Sequence, residues 1–296
     1  MNENSDLLPL SDAIDHQILM HRDTHFGGNF SIMLDYYQHG GRGAQDEFDL
    51  KRIEELKKIE GSLGTDLSSL VLDEIEKLEV ESAKKMYSAL KSTYENPQAL
   101  EMVRLIADLI LSEEEPKKEM ASLIAKKASA VPSLIELIST DELYLPLFPG
   151  YGLAPLFAIE CLGKIQDERA ITPLFQRLGK DDFFFEEALC KALHQIGEKA
   201  KQFLLKALEQ FPLSSENECA AIALLSFKED RDVLSAVLSL LQNPRVWQTT
   251  TFAFYLILIL AETADKSKKE ALLSLLNNPS FPPELKQEIR LSVKKI

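Results

Sequence analysis

The apolar residues of this chain recur at the three- and four-residue spacing of amphipathic helices. Nowhere does the sequence sustain the strict alternation of apolar and polar residues that a half-buried β-strand requires. In the C-terminal half the helical pattern runs for about 11 residues, a common helix length, gives way to a short charged turn and then resumes. The pattern predicts an all-α protein in which many helices come in pairs.

The paired pattern repeats along the C-terminal half. Residues 158–178, AIECLGKIQDERAITPLFQRL, match residues 188–208, ALCKALHQIGEKAKQFLLKAL, in residue type at most positions. Residues 221–241 form a third copy, and residues 252–276 form a looser fourth copy. One helical hairpin cannot bury its apolar stripe alone, whereas stacked hairpins share a continuous core. The repeats therefore predict an α-solenoid of stacked antiparallel helical hairpins.

Two prolines mark the same point of the repeat. Pro173 in CLGKIQDERAITPLFQRL and Pro132 in AKKASAVPSLIELIS both fall in the first turn of a second helix, where the missing N–H has no helical partner to lose. These motifs resemble HEAT repeats, in particular the short HEAT-like repeats of phycobilin lyases, and the resemblance covers residues 118–276. Because such repeats occur in many unrelated proteins, the resemblance implies a solenoid fold and not the lyase activity.

The N-terminal part is also helical in pattern but less regular. Residues 46–61 predict an amphipathic helix that ends at its glycine, and Thr65 is a candidate cap for a long helix from residue 66 to about residue 94. We therefore predict two regions. Residues 1–117 form an irregular helical region packed on the solenoid, and residues 118–296 form the HEAT-like repeat region.

Charge and targeting signals narrow the function. The net charge of −14, from 33 Lys and Arg against 47 Asp and Glu, disfavours nucleic acid, which is bound by basic faces. The first residues, MNENSDLLPLSD, lack the basic and apolar segments of a secretory signal. The most apolar run, residues 252–261, is half the roughly 20 residues of a membrane-spanning helix. We expect a cytoplasmic protein that binds no membrane.

Two histidines near the N-terminus are the candidate chemical site. His21 and His25, in the stretch MHRDTHFGGNFSIMLDYYQHGG, are four residues apart, so on a helix they share one face and could bind a metal ion. The glutamate that follows the first histidine in HExxH metalloproteases is absent. A metal site would need a third ligand from elsewhere, with these candidates: His16, His39 or Asp35.

A purely structural role explains the same stretch. Histidines in the last turn of a helix suit its dipole. Gly27 and Gly28 can supply a left-handed stop, and Asn29 or Ser31 can cap a second helix. On this interpretation the stretch is a helical hairpin with no metal.

The candidate partner-binding site is a long aromatic connection. The segment TDELYLPLFPGYGLAP, between two repeats, is longer than the other connections, and long loops in compact folds are often functional. Aromatic and large apolar side chains make efficient anchors for a partner. The candidates are Tyr144, Leu145, Leu147, Phe148 and Tyr151. The alternative is that the segment folds back and covers a groove of the solenoid.

Together these features predict a scaffold or adaptor without catalytic activity or cofactor. Its acidic charge favours a partner protein with a basic surface. The competing hypothesis is a metal-dependent enzyme or metal-binding protein with its site at His21 and His25. HEAT-like repeats also build an iron hydroxylase through paired His-Glu motifs, but the sequence has no His-Glu pair. A helical DNA-base glycosylase would need a basic groove, which the composition disfavours.

Overall fold

The computed structural model describes residues 12–180 and 183–294, and within these ranges it contains seventeen α-helices and no strand. The all-α prediction is confirmed. Most of the N-terminal stretch used above to argue against a secretory signal lies outside the described residues. Contacts divide the chain into two compact units. Unit 1 comprises the described residues up to Lys126 together with Pro132–Ala158, and unit 2 comprises Lys127–Val131 together with the described residues from Ile159 onward.

Unit 1 is built mainly from seven helices and the segment that follows α8. The helices are α1 (Ala13–His25), α2 (Phe30–Gln38), α3 (Leu50–Leu63), α4 (Leu67–Val71), α5 (Glu74–Glu95), α6 (Glu101–Leu111) and α7 (Lys117–Ala125). Helix α8 (Val131–Ser139) lies almost wholly in this unit, and α9 (Ala154–Ile165) begins in it. Helix α1 packs against α4 and α5, α2 packs against α3, and α6 packs against α5 and α7.

The connection between the first two helices has most of the predicted turn and cap signals. The side chain of Asp12 caps α1 by accepting hydrogen bonds from the backbone N–H groups of the first turn. Gly27 and Gly28 have φ angles of +59° and +75°, a conformation that glycine adopts without strain. Asn29 then caps α2 with its side-chain oxygen. The predicted stop and one of the two predicted caps are therefore confirmed.

The next helices differ from the prediction in their boundaries. Helix α3 continues through Gly61 and ends at Gly64, whose φ angle of +64° is the left-handed conformation. The long helix predicted after Thr65 is two helices, because Leu72 is extended. Asp66 caps the first and Asp73 caps the second. Thr65 caps neither, since the aspartate that follows it takes the capping position.

A buried arginine joins the early helices of unit 1. The Arg22 side chain on α1 is 1 % exposed, and it contacts carboxylates of its neighbour Asp23, of Glu60 on α3 and of Asp66 before α4, at 2.6, 2.5 and 2.6 Å. It also donates a hydrogen bond of 2.9 Å to the Ser68 hydroxyl. Since buried charges must be paired to be tolerated, these contacts fix the helices relative to one another.

Unit 2 consists of the remainder of α9 and eight further helices. They are α10 (Ile171–Arg177), α11 (Phe183–Ile196), α12 (Glu198–Leu208), α13 (Ser215–Leu224), α14 (Arg231–Leu241), α15 (Thr250–Glu262), α16 (Lys266–Ser274) and α17 (Pro283–Lys294). Helix α13 packs against α11, α12 and α15, and α15 packs against α13, α14, α16 and α17. These helices thus contact both their chain neighbours and the helix two places along.

The two prolines and the most apolar run of the sequence lie in helices α8, α10 and α15. Pro132 and Pro173 lie in the first turns of α8 and α10, as predicted. Helix α15, which contains the most apolar run, is 13 residues long and largely buried. Within the described ranges, no helix combines the length and apolar character needed to cross a membrane.

Candidate functional site

The two histidines and the aromatic connection meet in unit 1. His21 and His25 lie one turn apart on α1, with ring centroids 4.4 Å apart. The Nε2 atom of His25 is 3.1 Å from the Pro146 carbonyl oxygen, and the His25 ring lies 4.7 Å from the Tyr151 ring. Two features that are distant in the sequence therefore form one site.

The hydrogen bond to Pro146 defines the protonation of His25. A carbonyl oxygen can only accept, so the Nε2 atom of His25 donates the hydrogen bond. The Nδ1 atom of the neutral ring then carries a lone pair, and it is buried with no hydrogen-bond partner within residues 12–180 and 183–294. Burial lowers the pKa of His25 to about 4, against smaller opposing effects of the Pro146 and Leu147 backbone. His25 is therefore neutral at pH 7.

His21 is buried more deeply, in an aromatic surround. Its side chain packs near the rings of Phe26, Tyr37 and Phe48, at centroid distances of 5.6, 6.0 and 5.6 Å. Burial is the main reason that the pKa of His21 is lowered to about 3, repulsion from the protonated form of His25 adds to the shift, and a hydrogen bond with the Gly43 backbone opposes it. The Nε2 atom of His21 is buried without a hydrogen-bond partner in the described part of the chain. His21 is thus a neutral, incompletely satisfied polar group in an apolar environment.

A tyrosine and carboxylate cluster lies beside the histidines. The hydroxyl of Tyr151 donates to the Glu113 carboxylate at 3.2 Å, and the hydroxyl of Tyr36 lies 3.3 Å from the same group. The Gly43 N–H donates to the Tyr36 hydroxyl at 2.9 Å. Burial raises the pKa of both tyrosines, so both stay protonated donors. The cluster connects α2 and the loop after it to the α6–α7 connection and the aromatic segment.

A cavity of about 650 Å³ opens next to His21. Its apolar wall is formed by Ala13, Met20, Phe48, Leu145, Pro146 and Leu147. Four carboxylate residues also line it, namely Asp12, Glu47, Glu76 and Glu79. Of the described residues that line the cavity, none is Lys or Arg. The cavity therefore combines an apolar wall with an acidic edge.

The four carboxylates differ in their existing partners. Asp12 caps α1, and Glu76 accepts hydrogen bonds of 2.8 Å from both the His16 ring and the Asp73 N–H. Glu47 and Glu79 are exposed and have no hydrogen bond or ion pair with any residue in the described part of the chain. These two carboxylates are therefore free to bind a ligand.

The predicted partner-binding residues divide between surface and interior. Leu145 is 51 % exposed, whereas Phe148 and Tyr151 are buried. The half-buried Tyr144 donates its hydroxyl hydrogen to the Ile138 carbonyl at 2.9 Å, and the partly buried Leu147 packs against the core. The segment thus packs onto unit 1, which holds the N-terminal helices, whereas the alternative from the sequence placed it over a groove of the solenoid. Of the five residues, Leu145 is the most accessible to a partner.

The described residues give the histidine pair no third metal ligand. Across residues 12–180 and 183–294, no group of three or more His, Cys, Asp and Glu side chains is arranged to hold a metal ion. His16 instead pairs with Glu76, and His39 and Asp35 contact each other at 3.5 Å. Each of the three candidate third ligands therefore has a contact outside the histidine pair. The two imidazoles pack among aromatic rings, with Phe48 5.6 Å from His21 and Tyr151 4.7 Å from His25.

Sequence reasoning missed the acidic edge of the cavity. Glu47 and Glu79 look like ordinary surface carboxylates in the sequence, and only their place in the lining of this cavity distinguishes them. No protein-family model and no curated protein matches the chain.

Proposed function

We propose that this chain is a non-catalytic, protein-binding scaffold or adaptor whose C-terminal part is a HEAT-like α-solenoid. The packing of α13 on α11 and of α15 on both α13 and α17 supports stacked hairpins, because each helix meets the equivalent helix of the next pair. Stacked hairpins offer extended surfaces for other proteins, and their function needs no catalytic group. The cytoplasmic location expected from the sequence is part of the proposal.

The observation that carries the proposal is the exposure of Leu145 on a segment that is anchored in the core. This side chain is 51 % exposed, yet Phe148 and Tyr151 anchor its segment in the core, and Tyr144 bonds to Ile138. An apolar side chain held on a rigid base loses little entropy on binding, so it is a preorganised anchor. We propose that Leu145 contacts the partner.

The charge beside Leu145 supports a basic partner. Glu47 and Glu79 line the same cavity as Leu145 and lack partners within the described ranges. Opposite charge at the edge of an interface raises the association rate and discriminates among partners. A partner with Lys or Arg around an apolar contact would complement this surface, in agreement with the net charge of −14.

The test compares two leucines of nearly equal exposure. Proteins that copurify with the intact chain are quantified by mass spectrometry beside those that copurify with Leu145→Asp and Leu291→Asp. Leu291, on α17, is 49 % exposed and belongs to unit 2. We expect a basic partner that is lost with Leu145→Asp, is retained with Leu291→Asp and dissociates as salt increases.

Two results would contradict the proposal. One is an identical set of bound proteins for the intact chain and Leu145→Asp, with circular dichroism showing that the variant is folded. The other is loss of the partner with both variants to the same extent, because the effect would then not be specific to the aromatic segment.

A further inference from the structure

The cavity beside His21 has the size and composition of a small-molecule site. Its volume is about 650 Å³, and ligand sites commonly fall between roughly 300 and 1,000 Å³, with mostly apolar walls and a few polar groups. Met20, Phe48 and Leu147 supply apolar surface to its lining. An elongated hydrocarbon group would fit this wall.

The electrostatic character of the cavity selects the charge of the ligand. Glu47 and Glu79 bring two carboxyl groups to the lining, and none of the described residues lining the cavity is Lys or Arg. His21 on the same wall is neutral, because burial lowers its pKa to about 3. An anionic ligand would be repelled, whereas a cation would find two unpaired carboxylates.

His21 provides an independent indication of a ligand. The residue is 2 % exposed and lines the cavity, and its Nε2 atom has no hydrogen-bond partner among the described residues. Buried polar atoms are almost always satisfied, and exceptions occur at functional sites or where a bound molecule is absent. Filling the cavity would change the surroundings of this imidazole.

We propose that the cavity binds an alkylammonium group, with the ammonium between Glu47 and Glu79 and the hydrocarbon part against the apolar wall. A free amine and a lysine side chain of a peptide share this chemistry. The inference does not depend on the scaffold function, because the cavity lies within unit 1 of a single chain.

The test is isothermal titration of the purified full chain at pH 7.5 with three probes of equal length. The probes are n-hexylammonium, 1-hexanol and hexanoate. The amine is charged at this pH, since alkylammonium groups resemble lysine with a pKa of about 10.4. We expect hexylammonium to bind about fivefold more tightly than hexanol, because one partly exposed ion pair contributes a binding free energy of about this size. Hexanoate should bind more weakly than hexanol.

Matched charge variants show whether the cavity is responsible. The double variant Glu47→Gln/Glu79→Gln should lose the preference for the amine over hexanol. The control Glu54→Gln/Glu114→Gln removes two exposed carboxylates of unit 1 outside the cavity, and it should keep the preference. Equal binding of all three probes, or equal effects of the two double variants, would overturn the proposal.

A fourth probe distinguishes the two sources of the group. Nα-acetyl-lysine N-methylamide carries the same ammonium on a peptide backbone. Binding tighter than that of hexylammonium assigns the site to a lysine of a peptide, and weaker binding assigns it to a free amine. Because purified protein alone is titrated, failure of this proposal leaves the copurification test of the scaffold proposal unaffected.

Discussion

Replacing Arg22 with methionine should destabilise unit 1 strongly. Its guanidinium makes hydrogen bonds to Asp23, Glu60, Asp66 and Ser68. Hydrogen bonds to charged groups contribute about 1.5–3 kcal/mol each to stability. Methionine keeps most of the apolar side-chain volume, so the variant isolates the loss of the charged contacts.

The net effect follows from what the substitution leaves behind. Removing one member of a buried ion pair costs about 3–5 kcal/mol, because the remaining charge stays unpaired. The Asp66 side chain is 57 % exposed and can be rehydrated, whereas Asp23 is much less exposed. We therefore expect the free energy of unfolding of unit 1 to fall by about 3 kcal/mol, at the lower end of that range.

The assay can report the two units separately. Six of the seven tyrosines belong to unit 1, and the single tryptophan, Trp247, belongs to unit 2. In urea unfolding, tyrosine near-ultraviolet circular dichroism should show an earlier transition for Arg22→Met. The control Lys91→Met removes an exposed ion pair with Glu95 at 3.9 Å, which should cost less than about 0.5 kcal/mol. A change within about 1 kcal/mol of the intact protein for Arg22→Met would refute the reasoning.

Two further predictions concern pH and glycine. The pKa values of His21 and His25 are lowered to about 3 and about 4, so their contribution to stability is complete above about pH 6.5 and is lost as the pH falls toward 4. Between pH 7 and pH 5, the free energy of unfolding measured in urea should therefore fall by about 2 kcal/mol less for His21→Gln than for the intact protein. An equal fall for both proteins would contradict the lowered pKa of His21. In Gly43→Ala the new Cβ would lie 2.2 Å from the Tyr151 ring, so thermal unfolding should shift to lower temperature. Gly61→Ala, whose Cβ meets nothing within 4 Å in helix α3, should stabilise the protein by about 0.5–1 kcal/mol, and the opposite order of the two variants would refute this packing.

Capping and first-turn preferences predicted many of the helix ends. The errors arose where two nearby residues could each end or cap a helix. Asn29 and Pro173 lie where capping and first-turn preferences place them. Gly61 failed as a helix end because a glycine inside a helix is tolerated at a modest cost, and Gly64 three residues later takes the left-handed conformation. Asp73, with Glu76 three residues on, carries a capping-box pattern that could have predicted the break before α5.

The site itself depends on contacts that no local pattern contains. The same residue types serve as core or as partner anchors, so Phe148 and Leu145 could not be separated before the burial of their segment was known. The pairing of His25 with Pro146 and the common position of Glu47 and Glu79 join distant parts of the chain. With one sequence, periodicity predicts which faces are apolar but not which faces meet.

The long-range pairing of His25 with Pro146 has a consequence for synthesis on the ribosome. The two residues are 121 positions apart, so translation at about 5–20 residues per second separates their emergence by roughly 6–24 s. In the finished protein the Tyr151 ring packs near the rings of His21, His25 and Tyr36. Until Tyr151 has been synthesised, these three rings lack this contact. Such nascent chains expose apolar surface and are prone to aggregate. Unit 1 is therefore the part of the molecule that we expect to need a chaperone during translation.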